Sequence, residues 1–388
     1  MVTIGIEKIH KLKKKIKGKK IGILTNNMSR DHNLESTLEL FKKDFKNITL
    51  LVPEHGYYGE EQAGRSVKNT ELNDIDVISL YYGNISINNE DIDKSMRELD
   101  TSLKVENFLP KEINEIDTII VDLQDIGNRV YTYASTMILL LENFQNDLII
   151  LDRPNPVTGK YIEGPILKKE YKSFIGMQEI PLRHGLTMGE LANFYTHFYK
   201  ERENMSIVKM SGWKREMWFP ETGLIWVSPS PNIPTFETSI AYQGNVIFEG
   251  TNVSEGRGTT RPFQIIGSPW ADPLKIARNI NKKSNGEYKV IETRFRPSFS
   301  KYKDESCGGI DLHIINIEKF KPFYFSIQLL NEFMEYSEFN FYDNYFDNLM
   351  GTDEIRKKLI NNDIDDIFEY VENDINDFIK IRREILIY

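Results

Sequence analysis

The feature that most constrains this chain is a set of continuous apolar runs in its first 155 residues. They are Ile21-Gly22-Ile23-Leu24, Ile48 to Val52, Val77 to Tyr81, Thr118 to Val121 and Leu148 to Leu151. A strand that is apolar at every position has no side to turn toward water. It must be covered on both faces, as in a parallel sheet between layers of helices. The stretches Leu34 to Phe45 and Tyr131 to Phe144 carry the helical spacing such layers need. The expected fold class is therefore α/β with a parallel sheet.

Four of these five strands end in dense polar chemistry. The first run leads into Thr25-Asn26-Asn27, the second into Pro53-Glu54-His55-Gly56. The fourth leads into Asp122, Gln124, Asp125 and Arg129, and the fifth into Asp152-Arg153-Pro154-Asn155. Open α/β sheets bind ligands at the carboxyl ends of their strands, so these residues mark a site. No glycine-rich dinucleotide fingerprint succeeds the first strand, and no phosphate-loop motif occurs. Gly256-Arg257-Gly258 lies too far along to serve. No nucleotide or other cofactor is expected.

A chain of 388 residues suggests more than one domain, at about 150 residues each. After residue 155 the pattern changes. Thr187-Met188-Gly189-Glu190 is a capping box that opens a helix reaching about Lys200. A loop-rich, motif-dense stretch runs from Gly212 to Trp270. A helix is expected over Ala271 to Lys282, strands near Tyr288 to Ile291 and Ile310 to Ile315, then amphipathic helices to the end. The expected division is a domain over 1–230 and a smaller α+β domain over 231–388.

Charge and composition exclude several function classes. A net charge of −9 argues against a general nucleic-acid binder. The one basic run, Lys11 to Lys20, reads as a solvated helix face ahead of the first strand. Cys307 stands alone, which excludes an intramolecular disulfide and a zinc site built on paired cysteines. No run of ~20 apolar residues is present, so no membrane-spanning helix is expected. No secretory signal is visible, so the sequence as written reads as cytoplasmic, with export open if a leader has been removed.

Several residues are candidates for chemistry. Glu54 leaves a buried strand, where poor solvation suits a general acid; the other reading is a helix cap or an ion pair. His55 is its direct neighbour. Asp122, Asp125, Arg129, Tyr131 and Tyr133 share one strand-to-helix turn. The two aspartates offer hard oxygens to a metal, or cap the helix and pair with Arg129. Arg153, beside Asn155, and Arg183, beside His184, sit in loops where a guanidinium recognises a carboxylate or phosphate, or simply closes a structural ion pair. Glycines flank Glu249 and Glu255 in the stretch 249–263, which also holds Asn252 and Arg257. Such a polar loop suits ligand recognition. Three prolines stiffen 228–235 around Asn232.

These motifs together resemble a known family. PEHG at 53–56, DLQDIGNRVYTYAST at 122–136, LDRPNP at 151–156, GWKREMWF at 212–219, PSPNIPT at 229–235 and EGTNVSEGRGTTRPF at 249–263 are similar to the NamZ-type exo-β-N-acetylmuramidases, over nearly the whole chain. The resemblance implies a Rossmann-like N-terminal domain and a smaller C-terminal domain closing an active-site cleft. It implies release of N-acetylmuramic acid from the non-reducing end of peptidoglycan fragments, with those saccharides as partners. One departure is the long Asn/Asp-rich segment from Gly83 to Asn114.

Glycoside cleavage ordinarily uses an acid and a second carboxylate. The expectation is Glu54 as acid with Glu255 or Asp125 as partner, unless the sugar's own acetamido group is the nucleophile. Arg153, Arg183 and Arg257 are candidates for the lactyl carboxylate. The competing readings are a non-catalytic muropeptide- or sugar-binding protein and a metal-dependent hydrolase centred on Asp122 and Asp125.

Overall fold

The structure is a computed structural model and describes residues 1–65, 67, 69–72, 74–81 and 109–388. Most of the long 83–114 segment thus lies outside the described residues. The basic run forms a helical turn, Lys13–Ile16, whose lysines face solvent while Leu12 and Ile16 are buried.

The N-terminal half contains β1 (Ile21–Thr25), α1 (Thr37–Lys42), β2 (Ile48–Val52), β3 (Thr70–Glu71), β4 (Asp76–Ser79), β5 (Thr118–Asp122), α2 (Thr132–Asn143), β6 (Asp147–Leu151), β7 (Glu163–Ile166), β8 (Pro181–Arg183), α3 (Met188–Phe198) and β9 (Met205–Val208). The main sheet has the order β3-β4-β2-β1-β5-β6-β9, with only β3 antiparallel among the described strands. Its six parallel strands, counted along the chain, run 3-2-1-4-5-6, which is the Rossmann arrangement. The order reverses at β1, so the ends of β2, β1 and β5 lie side by side. Thr25 is in register with Asp122, and Leu24 with Leu51.

Alternation along each strand divides the apolar residues between two layers. On β5, Ile119 and Val121 join the core under α2, while Ile120 joins a second core with Ile21, Ile23, Phe41, Ile149 and Trp213. Strand β9 is not among the runs picked out in the sequence. It is four residues long, half-buried throughout, and pairs with β6 at the sheet edge, so the both-faces-apolar signature is missing. The capping box holds: Thr187 Oγ1 accepts from Glu190 N at 3.2 Å, and Thr187 N donates to Glu190 Oε2 at 3.1 Å.

The C-terminal half contains α4 (Phe236–Asn245), β10 (Ile265–Ser268), α5 (Pro273–Lys283), β11 (Tyr288–Phe295), β12 (Cys307–Ile314), α6 (Pro322–Met334), α7 (Asp343–Met350), α8 (Glu354–Ile360) and α9 (Ile364–Arg382). Its sheet is antiparallel, β10-β12-β11. Cys307 is buried on β12, and burial pushes its thiol up to about 12. Helix α4 lies inside the stretch read as loop-rich. Its period is hidden because buried polar residues replace apolar ones: Gln243 donates to Ile126 O at 2.9 Å and Asn245 to Phe263 O at 2.7 Å. Gly244 lets α4 meet α6, since a Cβ there would lie 2.0 Å from Pro322 O. The core under α2 continues through α4 and α6, so the halves are packed as one body around the strand ends.

Candidate active site

Glu54 lies just past β2 and is 6% exposed. Its Oε1 accepts from the backbone of Gly64 at 2.8 Å. Its Oε2 is bonded by the hydroxyl of Thr132, the first residue of α2, and Tyr81 also hydrogen-bonds the carboxyl. Burial, then the Glu54 charge, raises the Tyr81 phenol far above its usual range. Two of the three partners are hydroxyls, which donate or accept as they rotate. Glu54 therefore has partners for either protonation state. His55 has φ 73°, a strained conformation for a residue with a Cβ. Its Nδ1 donates to Glu61 O at 2.7 Å, which leaves Nε2 as the acceptor. Burial lowers the His55 pKa despite the nearby Glu54 charge, so the ring is neutral at neutral pH.

Asp125 sits in the turn between β5 and α2. Its Oδ2 accepts from Gly127 N at 2.7 Å, and Oδ1 is buried without a partner among the described residues. Burial raises its pKa to about 7, against the pull of the Gly127 and Ile126 amides. His184 Nε2 lies 3.9 Å from Asp125 Oδ2. Its Nδ1 accepts from Leu186 N at 3.1 Å, and burial, then the Arg129 charge, pushes the imidazole down to about 3. A neutral ring faces a carboxyl poised to carry a proton.

The opposite side comes from the C-terminal half. Arg257 Nη2 donates to Glu249 Oε1 at 2.5 Å, and its Nε lies 3.3 Å from Glu255 Oε1. Lys301 Nζ holds Glu255 Oε2 at 2.9 Å, and Tyr345 donates to Glu249 Oε2 at 3.0 Å. Burial opposes the charge of Glu255, but Lys301 and Arg257 outweigh it and its pKa falls below the ordinary value. Burial likewise opposes the Arg257 charge, and Glu249 with Glu255 outweighs it, so the guanidinium stays charged.

The two sides meet at a cluster of rings. Tyr131 and Tyr133 are 4.7 Å apart between centroids, Tyr131 and Tyr242 6.1 Å, and His55 lies 6.3 Å from Tyr131. Tyr242 feels Glu249, Arg257, Glu54 and Asp125 together. Asn232 donates to Gln62 Oε1 at 2.8 Å and Tyr133 to Pro229 O at 2.6 Å. The stiff 228–235 stretch thereby closes on the loop after Glu54.

Other expected site residues are committed elsewhere. Asp122 is fully buried and forms a two-point pair with Arg153 (Oδ1 to Nε 2.5 Å, Oδ2 to Nη2 2.9 Å), and Thr37 bonds the same Oδ2. Both its oxygens are occupied, so Asp122 has none free for the metal site considered with Asp125. Arg129 hydrogen-bonds no carboxylate among the described residues: it donates to the carbonyls of Pro165, Ile180 and Leu349, each at 2.8 Å, and burial lowers it to about 9. Arg183 pairs with Glu163 at 2.6 Å and donates to Val157 O. Asn155 braces the turn at Leu186 O and Val157 N. Asn252 donates to Glu338 O and accepts from Asn340 N. The sequence reading offers Asp122, Arg129, Arg153, Asn155, Arg183 and Asn252 as sugar-contacting groups; the structure gives each of them partners within the chain. A motif shows that a polar residue is demanded, but a buried carbonyl demands an arginine as firmly as a ligand does.

Two family models cover the chain. The one described as "Exo-beta-N-acetylmuramidase NamZ, N-terminal" matches residues 21–237, and its C-terminal counterpart matches 240–388. The chain belongs to the NamZ exo-β-N-acetylmuramidase family. A NamZ relative from Bacillus subtilis (strain 168), a peptidoglycan β-N-acetylmuramidase, is 35% identical over 97% of this chain and 88% of its own length. Crystal structures of two DUF1343 family proteins from Bacteroides fragilis are also similar. One is 29% identical with a TM-score of 0.83, the other 25% identical with a TM-score of 0.72. Each is matched over 100% of this chain and 99% of its own. In this NamZ chain, sequence reasoning missed Tyr81, Thr132, Tyr242 and Lys301 as parts of the site. Thr132 lies within a motif already singled out; Lys301 lies in none.

Proposed function

We propose that this chain is an exo-acting β-N-acetylmuramidase that releases N-acetylmuramic acid from the non-reducing end of peptidoglycan fragments. The observation carrying the reading is the meeting of Glu54 and Asp125 with Glu249 and Arg257 around the ring of Tyr242, with Glu255 held beside Arg257. Glu54 protonates the leaving oxygen and takes the proton back, served by its reversible hydroxyl partners. Glu255 stays ionised and stabilises positive charge developing on the sugar. Arg257 borders the rings, whereas Arg153 and Arg183 do not, so it receives the lactyl carboxylate. Asp125 Oδ1 has no partner among the described residues, which fits a hydrogen bond to the 2-acetamido group. With that bond the acetamido oxygen serves as internal nucleophile, a known variant of glycoside hydrolysis.

A chromogenic β-N-acetylmuramide, assayed beside the matching N-acetylglucosaminide, tests this reading. The expected result is cleavage of the muramide alone, lost in Glu54→Gln. A muramide left intact by the unmodified chain, or cleaved as well by Glu54→Gln, overturns it.

A further inference from the structure

We propose that Lys301 is a positioning residue for this reaction, holding the Glu255 carboxylate and the turn that carries it in the geometry the sugar requires. The inference rests on the muramidase reading and on Glu255 acting within it. Lys301 is 3% exposed. Besides Glu255 Oε2, its Nζ reaches Phe248 O at 2.7 Å, Val253 O at 3.1 Å and Glu249 O at 3.4 Å. An ammonium has three hydrogens, and here they are shared among four acceptors, all on the 248–255 stretch. Phe248 and Val253 bracket that turn, so one cation ties its beginning, its end and its acidic side chain.

Charge balance explains only part of this contact set: Arg257 is shared between Glu249 and Glu255, so Lys301 neutralises the second carboxylate, and a fully buried lysine is rare unless specifically partnered. What Lys301 adds over Arg257 is a set of main-chain carbonyls, which is a constraint on position. The downward shift of the Glu255 carboxyl, in which Lys301 is the largest opposing charge to burial, agrees with the contact geometry.

The backbone that delivers Lys301 is strained. Ser300 (φ 69°), Tyr302 (φ 56°) and Asp304 (φ 62°) all occupy the left-handed region, though none is glycine. Such conformations persist only where the surroundings over-determine them. Ser298 donates through N (2.9 Å) and Oγ (3.0 Å) to Gly258 O, and Tyr302 donates to Asn252 O at 2.6 Å. At Gly258 a Cβ would lie 2.5 Å from Phe299 O, so only glycine permits this approach. The strained segment is thus clamped on both sides of Lys301 to the loop bearing Glu255.

The test uses full-length Lys301→Met, Lys301→Arg, Glu255→Gln and the Glu255→Gln/Lys301→Met double variant on the chromogenic muramide, with kcat and KM separated and pH profiles recorded. Lys301→Met is expected to lower kcat about 100-fold, the scale of a misplaced catalytic group, while KM changes less than about threefold. The acid limb of its kcat/KM profile moves to higher pH, because Glu255 has lost a cation. The double variant is no slower than Glu255→Gln alone, because the lysine acts through that carboxylate. Lys301→Arg keeps the charge but not the four contacts, so its acid limb stays and its kcat falls. Wild-type kcat in Lys301→Met or Lys301→Arg overturns the proposal, as do independent losses in the double variant. Loss of folding in both single lysine variants makes the residue purely structural and also overturns it. An unmodified chain inactive on the muramide defeats the muramidase reading instead, which separates the two failures.

Discussion

The two sides of the site treat their carboxyls in opposite ways. On the N-terminal side, Glu54 and Asp125 meet hydroxyls, backbone amides and a neutral imidazole, and among the described residues neither forms an ion pair with a lysine or arginine. On the C-terminal side, Glu249 and Glu255 are locked by Arg257 and Lys301. Burial is similar on both, so desolvation is not what separates them. Partner chemistry is: a hydroxyl turns to serve a protonated or an ionised carboxyl, whereas a guanidinium and an ammonium serve only the ionised one. An enzyme that protonates a leaving group and stabilises a cationic sugar needs one side of each kind.

The largest way to break that comparison is Glu54→Gln. It is expected to lower kcat about 10³-fold with KM little changed, as for loss of a general acid. Next is Arg153→Met. It strands Asp122 in the core and is expected to cost about 3–5 kcal/mol of stability in denaturant unfolding. Activity per folded molecule is expected to stay near wild type, because the two groups are taken up by each other.

Asp125 gives a pH-dependent effect of comparable or smaller size. Its folded pKa is raised to about 7, so the native chain holds a proton that the unfolded chain has released. Its contribution is therefore most favourable below the ordinary aspartate range and is lost as pH rises to about 7. The loss is on the order of 4 kcal/mol. Asp125→Asn removes this slope, so it gains in melting temperature over wild type at about pH 8 relative to about pH 5. An equal offset at both values would place Asp125 with the charge-fixed carboxyls. The smallest effect is expected for Asn252→Ala, with activity within about twofold of wild type.

The fold was legible because apolar strands in a covered sheet announce themselves. Helix α4 was not, since Gln243 and Asn245 satisfy buried carbonyls where an apolar stripe would be expected. Glu54, Asp125 and Glu255 stand out by position, at strand ends and beside a glycine, and the structure buries all three. For Arg129 and Arg183 the sequence shows the donor and not its acceptor, which the structure supplies as backbone carbonyls and Glu163. Lys301 was invisible: Ser300-Lys301-Tyr302-Lys303-Asp304-Glu305 reads as a solvated loop, and its backbone conformation leaves no glycine to betray it.

The central claim is that proton-mobile and charge-fixed carboxyls face each other across one sugar site. The most direct test is the pH dependence of kcat/KM on a chromogenic β-N-acetylmuramide, for wild type and Asp125→Asn. The account predicts a wild-type profile that rises as pH passes through about 7, where Asp125 loses its proton and becomes a full acceptor for the acetamido N–H, and an Asp125→Asn profile without that limb. A wild-type rate that stays level through that pH, or a limb that survives in Asp125→Asn, would contradict it.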